Sequence, residues 1–415
     1  MMSLLWCKVY IEDVHISYIV PNEILTKNRK NRKRLCILEL KTLFSPKKIG
    51  NVQIKNRIVR SATQIAGADD EGKVTDDLVD FYTKIAKGGT GLIITEITSI
   101  DEEGKSMRRR QKCLFDDVFI AGNKKLVDAV HECSDAKIAP QLSHAGRQGP
   151  TPVAPSEYTH KYNKKVARVL TTEDIEGVVK NFADAGRRAY ESGYDMIQLQ
   201  AAHGWLLSSF LSPYLNKRTD EYGESVEGRT KILVDIYNQT RDQVGKEFPI
   251  FLKLQTIDFV PGGLTLDDAE QITKILIDTG YDSIEPAGGS SDTILDPAYP
   301  TYPFAKVESA EGENYFLDSV KRVKPYMKDR PVILMGGVRN PEIVEKLLQD
   351  GAIDFISMSR PLIWEPDLPN RWESGDSSPP LCTSCNQCLM TSRGGIIQCP
   401  LKKKAERKKK REQQK

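Results

Sequence analysis

From about residue 41 onward, short β-branched runs alternate with longer segments whose apolar residues recur every three or four positions, and a polar or glycine-containing break follows each run. Eight such units follow one another. The runs predicted as strands are 57–62, 91–97, 137–143, 195–200, 249–255, 282–286, 331–336 and 354–359. Helical spacing predicts helices over 76–87, 118–133, 173–192, 226–244, 267–279, 314–324 and 341–349. Thr172 before Glu173–Asp174 and Thr265 before Asp267–Asp268 mark helix starts, because acids in a first turn face the positive end of the helix dipole. The strands are continuously apolar rather than alternating, which implies burial on both faces and a parallel sheet. Eight units in about 320 residues predict a closed α/β barrel, the (β/α)8 TIM barrel, over an open doubly wound sheet with its usual six strands. In such a barrel, chemistry sits at the C-terminal ends of the strands. Polar and glycine residues concentrate there: Thr63–Gln64, Ser143 to Arg147, Gln200 to His203, Gly288–Gly289, Gly336–Gly337 and Ser359–Arg360. The long loops 144–171 and 201–225 are expected to cover the mouth.

Composition narrows the class. The 415 residues are 39% hydrophobic and 28% charged with eight cysteines, which is an ordinary soluble globular make-up and excludes collagen, mucin, wholly disordered and disulfide-dense secreted classes. The net charge of +3 hides an asymmetry: residues 1–34 carry +4 and residues 402–415 carry +7, which leaves −8 on the body between them. An acidic body argues against a nucleic-acid surface spread over the fold, and the basic runs 27–34 and 402–411 read as solvated tails. No stretch reaches the ~18 uncharged apolar residues of a membrane span. The opening twenty residues are interrupted by Lys8, Glu12, Asp13 and His15 and lack the order of a signal peptide, so a cytoplasmic chain is expected. The expected division is an N-terminal extension (1–40), either disordered or the product of a misassigned start, then the barrel (41–375), a cysteine segment (376–400) and a basic tail (401–415).

The strings LFSPKKIGNVQIKNRIVRSAT, PQLSHAGRQ, AAHGWLLSSFLSPYLNKRTDEYGES, ILMGGVRNP and DFISMSRPLI each fall at a predicted strand end. In order and spacing they resemble the Old Yellow Enzyme family of flavin mononucleotide (FMN) oxidoreductases over about residues 41–400. Within that family the chain is most similar to the iron–sulfur branch containing dienoyl-CoA reductase and trimethylamine dehydrogenase. The chemistry of a flavin agrees. Its phosphate needs backbone N–H donors and a cation, which Gly336–Gly337 and Ser359–Arg360 can supply. Its pyrimidine edge needs amide-type partners and gains from a cation on reduction, roles that suit Gln141 and Lys253 on strands three and five. The alternative for Gln141 and Lys253 is a polar barrel layer with internal pairing. The resemblance places Ser61, Ala62 and Thr63 against the flavin edge. It puts Gln64 where relatives carry a Cys or Thr that tunes the flavin, and Ser359 where they usually carry Gly. Gly288 and Gly289 complete the cofactor-binding candidates.

The substrate side departs from the family pattern. Relatives commonly show His-x-x-His or His-x-x-Asn, a donor pair for the substrate carbonyl oxygen, followed two residues later by a proton-donating Tyr. Here Gln200 replaces the first donor, His203 is kept, and Trp205 replaces the tyrosine. A Gln amide still donates a hydrogen bond, whereas an indole N–H is far too weak an acid to deliver a proton. The alternative for His203 is a helix-start residue satisfied by backbone.

Cys382-x-x-Cys385-x-x-Cys388 with a remote Cys399 has ferredoxin-like spacing, which suits a [4Fe–4S] cluster, as the iron–sulfur branch also implies. Structural zinc, which prefers two separated Cys-x-x-Cys knuckles, and an unmetallated remnant are the alternatives. Cys7, Cys36, Cys113 and Cys133 read as ordinary thiols. No Gly-x-Gly-x-x-Gly occurs, so electrons are expected from a separate donor protein or directly from NAD(P)H. The leading expectation is reduction of an activated C=C bond in a small-molecule substrate. Amine oxidation and a non-catalytic electron-transfer subunit are the competing readings. Oligomeric state, a homo-oligomer included, stays open.

Overall fold

The computed structural model describes residues 5–11, 14–20, 39–160, 164–294, 305–391 and 395–413, in two units, 1–39 and 40–415. In the first, Leu5–Ile11 pairs antiparallel with Val14–Val20. Of the expected extension, residues 1–4, 12–13 and 21–38 lie outside the described residues.

The second unit is the barrel. Its strands are β1 (Ile58–Arg60), β2 (Leu92–Ser99), β3 (Lys137–Ser143), β4 (Ile197–Ala201), β5 (Ile250–Ile257), β6 (Ile284–Gly288), β7 (Ile333–Met335) and β8 (Phe355–Met358). They pair in parallel in the order β6-β5-β4-β3-β2-β1-β8-β7, and a parallel bridge between Ile284 and Val332 closes the ring. Each predicted strand is present, because a strand covered by helices outside and packed side chains inside must be apolar on both faces. The inner packing layer is Val59, Ile94, Ala139, Met196, Phe251, Ile333 and Phe355. A hairpin, Lys47–Ile49 with Val52–Ile54, adds Ile49 and Ile54 to this layer. Its turn at Gly50 meets Pro249 and Asp282, just before β5 and β6, so the hairpin plugs the N-terminal end and leaves the other end for the site.

The helices at the predicted positions are α1 (Asp76–Lys87), α2 (Ile120–Cys133), α3 (Thr172–Glu191), α4 (Val226–Val244), α5 (Leu266–Thr279), α6 (Leu317–Val323) and α7 (Pro341–Gln349). Thr265 caps α5 with a reciprocal Asp268 bond, as its sequence predicts. The cap of α3 is Thr171, one residue earlier than expected, because it is Thr171 that reaches the Asp174 amide. Helix α6 is shorter than 314–324: it starts at Leu317 because Asn314 sits in the left-handed region at φ +55°, and it ends at Val323 because Pro325 has no N–H to continue the ladder, so the chain goes on as a 3-10 turn over Lys324–Tyr326. The loop after β3 carries a small three-stranded sheet (Val153–Ala154, Tyr158–Thr159, Val166–Val169). The expected solvated basic tail forms a helix, α8 (Pro400–Gln413), with no buried residue. Among the described residues, no helix is long and apolar enough to cross a membrane.

Candidate active site

A cavity of about 330 Å³ opens at the C-terminal ends of the strands, within the range of small-molecule sites. Ser61, Ala62, Thr63, Gln64, Gln141, Gln200, His203, Trp205, Lys253, Gly336, Gly337, Ser359 and Arg360, drawn from six strands and the turns that follow them, all line it. Gly288 and Gly289 reach the same end but are not among the lining residues. Their carbonyls serve protein groups instead: Gly288 O accepts from the His203 ring at 3.2 Å, and Gly289 O from Gln255 Nε2 at 3.3 Å.

The cavity floor is a buried polar layer. Lys253 Nζ lies 2.9 Å from Glu285 Oε2, and both side chains are almost wholly buried. Ser61 Oγ donates to Glu285 Oε1 at 2.9 Å, Gln198 Nε2 donates to Glu285 Oε2 at 2.8 Å, and Gln141 Nε2 donates to Gln198 Oε1 at 2.7 Å. Burial lowers the Lys253 ammonium below its ordinary range. Burial would raise Glu285, but the adjacent ammonium and the hydrogen bonds to the carboxylate together outweigh it and hold the carboxyl below its usual value. The two readings of Gln141 and Lys253, cavity lining and internal pairing, therefore hold together: one face of the layer pairs inward and the other faces the cavity.

Above the floor, Gln200 is buried and its Oε1 has no partner, so its amide is an unsatisfied group aimed into the cavity. His203 sits in the left-handed region at φ +62°. Its N–H donates to Gln255 Oε1 at 2.7 Å and its carbonyl accepts from Gln148 Nε2 at 2.8 Å. Burial drives the imidazole down to about 3, so the ring is neutral. A carbonyl only accepts, so Nδ1 carries the proton toward Gly288 O and Nε2 keeps a lone pair. Gln64 donates to Ser106 Oγ at 3.1 Å, and the Thr63 and Ser359 hydroxyls are hydrogen-bonded to each other.

At the other end, Gly336 and Gly337 adopt φ +99° and +75°, and a Cβ on Gly336 would lie 2.5 Å from the Tyr315 ring. Glycine is required there on both counts. Arg339 and Arg360 line this end and Arg108 lines another part of the wall. Among the described lining residues there is no carboxylate.

Cys382, Cys385, Cys388 and Cys399 line one small void, together with Arg360 and Asn386. Cys382 and Cys388 are buried, the other two half-buried. Burial pushes the Cys388 thiol up to about 11. Among the described residues, no three His, Cys, Asp or Glu side chains close on a single-ion position.

Sequence reasoning missed Glu285, Gln198, Gln148, Tyr315, Arg108 and Arg339. An acid inside the apolar run DSIEP was a usable signal for Glu285, and Arg339 stood in the string ILMGGVRNP.

The closed barrel combines a glycine pair and arginines at one end of the cavity with a Lys–Gln floor and the Gln200 amide at the other, a set whose chemistry fits a phosphorylated flavin. The chain belongs to the NADH:flavin oxidoreductase / NADH oxidase family, whose model matches residues 42–378. It is 36% identical over 356 residues to an NADH oxidase of Thermoanaerobacter brockii, covering 83% of this chain and 52% of that protein. It is 30% identical over 386 residues to a cinnamate reductase of Clostridium sporogenes, covering 85% of this chain and 56% of that protein. Among solved structures, a 2-naphthoyl-CoA reductase in complex with 2-naphthoyl-CoA superposes with a TM-score of 0.79 at 27% identity, covering 87% of this chain and 56% of that one. The chain spans about half the length of these relatives.

Proposed function

We propose that the chain is an FMN-dependent reductase of C=C bonds conjugated to a carboxylate or other anionic group, and that Cys382, Cys385, Cys388 and Cys399 hold a [4Fe–4S] cluster. Electrons come from NAD(P)H or a partner protein. The observation that carries this reading is the cavity's charge: Arg108, Lys253, Arg339 and Arg360 line it without a carboxylate among the described lining residues. That surface suits a phosphate and an anionic substrate, and it offers an alkylammonium substrate no carboxylate among the described lining residues to pair with.

Arg339, Arg360 and the Gly336–Gly337 backbone hold the phosphate, while Gln141 and Lys253 meet the pyrimidine edge. When bound, the flavin supplies hydride chemistry at its N5. Gln200, which lines the cavity, holds the substrate oxygen through its Nε2 donor. His203, neutral and with Nδ1–H committed to Gly288 O, presents Nε2 as an acceptor rather than a second donor. Trp205 forms a wall and has no acid to give, so the α-carbon proton comes from water. Four cysteines around a shared void rather than a shared point suit a multi-atom cluster better than one zinc ion.

The test is anaerobic purification with analysis of released flavin, iron and sulfide, followed by reoxidation of the reduced protein with a cinnamate-type acid and with a neutral enone. FMN near one per chain, about four iron, and faster reoxidation by the acid are expected. Zinc without iron would remove the cluster. Reduction of the flavin by a secondary amine, with no reoxidation by either alkene, would overturn the substrate reading.

A further inference from the structure

Three of the arginines that line the flavin cavity have a second attachment. Arg108, from the loop after β2, donates through Nη1 to Leu389 O at 3.2 Å. Arg339, after β7, donates through Nη2 to Pro380 O at 3.0 Å and through Nη1 to Cys382 O. Arg360, after β8, donates through Nη1 to Ser384 O at 3.4 Å and to Asn386 Oδ1 at 2.5 Å. These acceptors belong to the cysteine segment; Arg360 also donates through Nη1 and Nη2 to Ala305 O at 3.2 Å, outside it. Ser384 and Leu389 themselves line the flavin cavity, and Arg360 lines both that cavity and the void between the cysteines. The two sites therefore share a wall, and the guanidinium groups are its pins.

We propose that flavin binding and cluster assembly are thermodynamically coupled, with Arg339 and Arg360 as positioning residues that transmit the order of the cysteine segment to the phosphate pocket. This rests on the FMN and cluster reading above and goes beyond it. An arginine whose fork is fixed by main-chain carbonyls meets a phosphate already oriented, whereas a loose one must lose its rotamer freedom on binding. The carbonyls of Pro380, Cys382 and Ser384 lie two residues before the first cysteine, on it, and between it and the second. Tying Cys382, Cys385, Cys388 and Cys399 to one cluster fixes those carbonyls, and cluster loss releases them. Linkage makes the effect reciprocal: whatever factor the cluster adds to FMN affinity, FMN adds to the stability of the cluster.

The experiment measures the FMN dissociation constant by flavin fluorescence quenching, in flavin-free protein with the cluster loaded and after anaerobic chelation. Loaded protein is expected to bind FMN about 5–50-fold more tightly, within the usual range of coupling between two sites. By the same factor, saturating FMN is expected to slow iron release to a chelator. Asn386→Ala removes an Arg360 anchor but no cysteine and no side chain of the flavin cavity; because Asn386 also lines the void between the cysteines, its iron content is measured before its FMN affinity is compared. It should keep its iron and bind FMN more weakly than wild type. Arg339→Gln should lower both affinities and bring the loaded-to-unloaded ratio toward one. Circular dichroism establishes that each form is folded. Should the cluster-free protein unfold, the comparison of loaded wild type with loaded Asn386→Ala decides. Equal FMN affinity within twofold, in either comparison, overturns the coupling. A chain that binds no iron or no FMN at all would instead count against the function proposed above, so the two failures are distinguishable.

Discussion

Replacing Glu285 with Gln isolates the electrostatics of the cavity floor. The side chain keeps its shape but loses its charge, and Lys253 is left as a cation in the barrel interior without its partner at 2.9 Å. Ser61 and Gln198, which both donate to the carboxylate, then face an amide that can accept through only one atom. Removing one member of a buried ion pair costs about 3–5 kcal/mol. The flavin-free Glu285→Gln variant should lose about that much in chemical denaturation. The loaded variant should behave differently, because a reduced flavin carries negative charge near its N1 and gives Lys253 a new partner. Preferential binding of the reduced form raises the midpoint potential. Each ~1.4 kcal/mol of preference appears as about +30 mV for a two-electron couple. The assay is a spectroelectrochemical titration of wild type and variant beside urea unfolding of the flavin-free forms. A stability loss under about 1 kcal/mol would mean that Lys253 sheds its proton instead of remaining charged. An unchanged or lowered potential would show that Lys253 does not face the flavin, and the assignment of the floor would fail.

Other substitutions test other parts of the site. His203 is held neutral in the fold, down to about 3 against an ordinary 6.5; stability from this group is complete above pH 6.5 and is lost as pH falls toward 3. Wild type should therefore lose about 1.3 kcal/mol more than His203→Asn between pH 7 and 5.5 in flavin-free urea melts, and equal losses would refute the burial argument. Gly336→Ala places a methyl 2.5 Å from Tyr315 at φ +99°, so FMN binding should weaken at least about tenfold at a stability cost of about 1–3 kcal/mol; wild-type affinity would mean the phosphate lies elsewhere. Trp205→Tyr supplies the missing acid and should raise alkene reduction, up to the roughly 10²-fold or more that general acids contribute, with flavin reduction by the donor unchanged. No gain would show that the proton does not enter from this side of the cavity.

The barrel was legible because each strand is apolar on both faces and each helix repeats at its own period. A break in either pattern marks a strand end, where a barrel gathers its chemistry. That geometry brought Ser61, Gln141, Gln200, Lys253, Gly336 and Arg360 into one cavity although they are spread over 300 residues. Pairing partners were less legible. Glu285 and Gln198 lie on strands whose pattern announces only burial, and the contact with Lys253 depends on register between neighbouring strands. Arg108 sits in an irregular loop, where no periodicity says which way a side chain turns. Gly288 and Gly289 stand among the cofactor-binding candidates by sequence, yet neither lines the cavity, and the carbonyls of that turn accept from His203 and Gln255.

The left-handed backbone at His203 bears on which residues this position can exchange. A β-branched or bulky aliphatic side chain is strained at φ +62°, whereas Asn and His are the non-glycine residues most often found there. The choice between His and Asn that Old Yellow Enzymes show at the corresponding place then follows from the turn as much as from the reaction. Variation here is channelled: the main chain restricts the alphabet to a few short polar side chains, and catalysis selects among those. A library randomised at residue 203 and sorted for folded protein alone, with no substrate present, should already be enriched in Asn, Gly and His.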